Sequence, residues 1–172
     1  MERLEMLRQV VLFLIIFVAL VAPESDADLA SSAQSIERAR NAIANAEAVV
    51  TQIPASSPDL DYVVELLSET SQDWDIALNS YHDAQMCSAK VIETSNASLQ
   101  EDYQALLSVS KQMTETHANA VIVATSYIRL VARDNLDQLE TIRSSINEIS
   151  QVKQLVRDNA EYTKKAIAEK YQ

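Results

Sequence analysis

The softest donor atoms in this chain belong to His82, Met86, Cys87, Met113 and His117. His82 and Met86, and likewise Met113 and His117, stand four residues apart, which places each pair on one helical face. Such pairs suit copper or haem iron. The helical register pulls them apart: Met113 and His117 fall on an apolar stripe, whereas Met86 and Cys87 fall on the far side of their own helix. A di-iron bundle needs Glu three residues before each histidine, and Asn79 and Thr114 stand there instead. The expectation is no metal and no cofactor.

Catalysis finds no better footing. The chain has one cysteine and two histidines, so a thiolate–imidazole pair would require Cys87 to meet a histidine by accident of folding. It has no glycine, which removes the phosphate-cradling loops of Rossmann and P-loop proteins. No enzyme is expected. Cys87 cannot form an internal disulfide and is either an intermolecular bridge or a solitary thiol.

Carboxylates are the more conspicuous chemistry. From Asp59 to Asp102 there are ten acidic residues and one base, Lys90. Asp61, Glu65, Glu69 and Asp73 recur every four residues, a ladder of like charge that weakens a helix slightly and is the candidate surface for a basic protein partner. A solvated face that keeps the protein soluble is the simpler reading of the same run. A second group, Gln85, Ser110, Met113 and His117, places polar atoms on otherwise apolar stripes, as a polar core layer that sets helix register or as the lining of a small ligand cavity. The net charge of −11 argues against nucleic acid, which needs a cationic surface.

The elements that carry these residues are helices. Without glycine, and with three prolines, tight hairpin turns have few residues to build them. Ala39, Ile43, Ala46, Val50 and Ile53 mark a first, shorter helix ending before Pro54 and Pro58. Leu60, Val64, Leu67, Ser71, Trp74, Leu78, Tyr81, Gln85, Ser88 and Ile92 alternate steps of four and three, with Val63, Thr70, Ala77, Ala84 and Val91 as a flanking column. Ser98 and Glu101 offer a capping box for a third helix, whose stripe runs through Leu99, Tyr103, Leu106, Ser110, Met113, His117, Ala120, Ala124, Tyr127 and Val131. The apolar phase then shifts to Leu136, Leu139, Ile142, Ile146 and Ile149, which predicts a turn at residues 133–135. One continuous helix with a phase slip is the alternative. The fold expected is all-α: an elongated antiparallel bundle of four helices, the first shorter, with coiled-coil-like packing.

Residues 10–22 form an apolar run too short for the roughly 18–20 residues that span a bilayer. Arg3 and Arg8 precede it, and Ser25 and Ala27 are small residues placed for cleavage after Ala27. Residues 1–27 therefore read as a signal peptide, with an uncleaved membrane anchor as the alternative, and residues 28–172 as one bundle domain. The functional expectation is an exported, non-enzymatic protein, periplasmic or extracellular, acting through protein contact or self-association. The alternative is a small-ligand or metal-sensing bundle.

Overall fold

A computed structural model describes residues 27–171 of the protein. All but the last residue of the expected signal segment lies outside the described residues. Four helices, α1 (Ala27–Val50), α2 (Leu60–Glu93), α3 (Ala97–Ala132) and α4 (Leu139–Lys170), pack into a bundle, with a short 3-10 turn, Leu136–Gln138, before the last. At about 1.5 Å per residue, α2, α3 and α4 are each close to 50 Å long. No helix among the described residues is long and apolar enough to cross a membrane.

Cross-helix bonds fix the directions. Tyr127 and His117 of α3 meet Asp59 and Asp73 of α2, and Arg143 and Lys170 of α4 meet Tyr127 and Asp102, so α3 is antiparallel to both neighbours. Ser32 of α1 donates to Glu115 and Ala46 packs beside Tyr127, so α1 runs parallel to α3. All three other helices pack on α3, and α1 and α4 make no close backbone approach to each other. This central position explains why twelve α3 residues are buried. Thr114, Thr125 and Ser126 stay satisfied there by donating to carbonyls one turn back in their own helix, the usual solution for a hydroxyl in a helical core.

Seven-residue columns make the seams. Ser32, Ala39, Ala46 and Ile53 are buried on the α1 side, Val63, Thr70, Ala77 and Ala84 on α2, and Leu139, Ile146 and Ala160 on α4. In α2 the centre of the seam is the column expected as its flank, joined by Leu66, Asp73 and Ser80. The stripe expected at the centre is rotated outward: Trp74 is half-buried, Gln85 is exposed, and Val64 and Ile92 are largely solvent-facing. Small side chains at the contact let α2 and α3 approach closely, while Leu67 and Trp74 cover the joint from the α1 side.

The helix ends follow from local chemistry. The Asn96 side chain accepts from the backbone N–H groups of Ser98 and Leu99 at 3.0 and 3.2 Å, so Asn96 is the N-cap of α3 in place of the expected Ser98–Glu101 box. The turn expected at residues 133–135 is present and separates α3 from α4. Asp134 adopts a left-handed conformation, φ 51°, and the Asn135 and Asp134 N–H groups close on the carbonyls of Leu130 and Val131. This is a Schellman end in which aspartate stands where glycine is usual.

Candidate functional site

Three ionisable side chains meet midway along the bundle, each in a column otherwise filled by small or apolar residues. Asp73 lies between Leu66 and Ser80, His117 between Ser110 and Ala124, and Lys153 between Ile146 and Ala160. His117 Nδ1 stands 2.7 Å from Asp73 Oδ1, and Lys153 Nζ donates to Oδ1 and Oδ2 at 3.1 and 2.8 Å. Burial by itself would raise the Asp73 carboxyl, but hydrogen bonds from His117 and Lys153, with the charge they carry, outweigh it and hold the group below the usual carboxylate range. The ionised carboxylate accepts from Nδ1–H, which leaves Nε2 as the free ring nitrogen. That nitrogen has no partner among the described residues, and His117 has no exposed surface. A general base must reach the proton it takes; a sealed imidazole does not, so the trio works as a staple joining α2, α3 and α4.

Nearer the α1–α2 loop, a second polar group ties the same three helices. Tyr127 donates its hydroxyl to Asp59 Oδ1 at 2.8 Å and accepts from Arg143 Nη2 at 2.7 Å. The guanidinium lies over the rings of Tyr62 and Tyr127, which meet edge-on with centroids 5.1 Å apart. Burial, then the neighbouring Asp59 carboxylate, pushes the Tyr127 hydroxyl up to about 12, so it stays a neutral donor throughout the physiological range. Asp59 precedes the first residue of α2 yet makes no side-chain cap bond; its carboxylate is committed to the tertiary contact instead. At the opposite end, Lys170 and the Tyr171 hydroxyl both donate to Asp102, pinning the end of α4 to the start of α3.

The expected acidic ladder divides. Asp61, Glu65 and Glu69 are exposed and have no ion pair among the described residues, whereas Asp73 is in the core, 5% exposed. The cause is geometric: each step of four residues advances about 40° around a helix, so three steps carry the row from solvent into the seam. The expected polar layer also divides. Ser110 and His117 are buried and Met113 is half-buried, but Gln85 is on the surface beside the His82 ring. The layer at the level of His117 is Asp73 and Lys153, and Gln85 is not part of it. Lys153 was legible, because continuing the α4 stripe from Ile149 by four residues lands on it. Tyr127, already on the α3 stripe, gave no sign of its partners Asp59 and Arg143, which come from distant parts of the chain. No group of three or more His, Cys, Asp or Glu side chains poised for a metal occurs among the described residues.

Compared with known protein families, with curated proteins and with solved structures, the chain matches none.

Proposed function

We propose that this chain is an exported, non-catalytic bundle that works by presenting a rigid acidic helix face to a cationic protein partner. The observation that carries the reading is the exposed row Asp61, Glu65 and Glu69. Three α4 cations are committed elsewhere, Arg143 to Asp59, Lys153 to Asp73 and Lys170 to Asp102, so none of them neutralises the row. Like charges in sequence are mildly unfavourable within a helix, and a basic partner relieves that repulsion while gaining orientation from the field. The buried staple and the Tyr127 group keep α2 fixed, so the charges are displayed at constant spacing. Export rests on the sequence of residues 1–27.

The test is affinity capture by the tagged protein from its own cell envelope at low and high salt, repeated with Asp61→Lys, Glu65→Lys and Glu69→Lys combined. A partner retained at low salt, released at high salt and lost with the triple variant is expected. Capture that ignores both salt and the substitutions would reject the proposal.

A further inference from the structure

Between α1 and α2 the surface opens into a cleft of 430 Å³, within the range of small-molecule sites. Ile43, Ala46, Leu67 and Trp74 supply apolar walls, and Thr70 and Thr125 also line it. Both threonines are almost fully buried, at 4% and 1% exposure. The Thr125 hydroxyl is occupied by the carbonyls of Val121 and Ile122. The Thr70 hydroxyl has no partner among the described residues, and a buried hydroxyl left unpaired is destabilising. A ligand atom in the cleft is one way to satisfy it.

The charges lining the cleft are Arg40 and Glu47. Arg40 faces Glu37, one turn earlier, at 3.9 Å. Glu47 is exposed and has no ion pair among the described residues, so the uncompensated charge is negative. Trp74 adds an aromatic wall, which favours a cation over an anion, and the net charge of −11 draws cations to the surface generally.

We infer that this cleft binds a small bipolar amine, with its ammonium group at Glu47, a flat apolar body against Trp74 and Leu67, and a hydrogen-bonding group at its far end paired with the Thr70 hydroxyl. The site is separate from Asp61, Glu65 and Glu69, none of which lines it, so it stands or falls independently of the protein-contact reading.

Trp74 is the only tryptophan in the chain, and its fluorescence reports on the site directly. Tyramine serves as the probe, phenethylamine as the probe without the far hydroxyl, and 4-hydroxyphenylacetate as the probe with reversed charge, each titrated into the full chain. Saturable change in Trp74 emission with tyramine is expected, with binding weakened roughly tenfold by Glu47→Gln and by loss of the probe's hydroxyl, the scale of one hydrogen bond to a charged or buried group. In Thr70→Val the two amines should bind equally, and Ala44→Phe, at an exposed position lining the cleft, should remove binding while circular dichroism stays helical. No saturable response, equal response to the acid, or indifference to Glu47→Gln would overturn the inference.

Discussion

Asp73 stands where two patterns cross, the four-residue carboxylate row and the heptad seam of α2, and the seam decides its fate. Removing one member of a buried ion group leaves the others uncompensated, so Asp73→Asn should lower stability at neutral pH by about 3 kcal/mol, measured by urea unfolding. Because the folded pKa of Asp73 is depressed, the stability it contributes is fully present above the unfolded value near 4 and is lost as pH falls through the folded value. The gap between wild type and variant should therefore narrow on acidification through the carboxylate range; a constant gap would show that the ionised carboxylate is not what stabilises the core. At this scale the sequence was only partly readable. His117 sits on the stripe that periodicity marks, but Asp73 resembles its exposed neighbours Glu65 and Glu69 in type and spacing, and only the correct phase of α2 separates them.

At the scale of elements, existence was plain in the periodicity and phase was not. The α2 stripe through Leu60, Leu67, Trp74 and Leu78 is the more apolar of two adjacent stripes, yet the seam centres on Val63, Thr70, Ala77 and Ala84 because small side chains permit close packing on α3. Ends were legible where the chemistry was unambiguous, as at Pro54 and Pro58, and ambiguous where two polar caps competed. Asn96 holds two N–H groups that Ser98 was expected to serve, so Asn96→Ala should lower stability by about 1 kcal/mol while Ser98→Ala changes it by less than about 0.5 kcal/mol. Asp134→Gly should raise stability by about 0.5–1 kcal/mol, because glycine adopts the left-handed conformation without strain. Thermal unfolding of the three variants checks the order; a stabilising Asn96→Ala or a destabilising Asp134→Gly would contradict the assigned ends.

For the whole molecule, the four-helix bundle was foreseen from the helical periods, whereas the central place of α3 was not, since periodicity says which face is apolar and not how many neighbours cover it. α1 is held at its seam by Ser32, Ala39 and Ala46, where a buried methyl contributes about 0.8 kcal/mol against 1.5–3 kcal/mol for a buried leucine or isoleucine. Native-state hydrogen exchange should accordingly find α1 amides opening at a lower free energy than those in the middle of α3; uniform protection would show that the bundle opens only as a unit. Lys153 carries a last consequence. Sliding α4 by one heptad would bring Ile146 or Ala160 opposite Asp73 and strand the carboxylate, whereas an α4 donated by a second copy of the chain would restore the same bond. The buried lysine thus penalises ratcheting along the bundle while leaving domain swapping open.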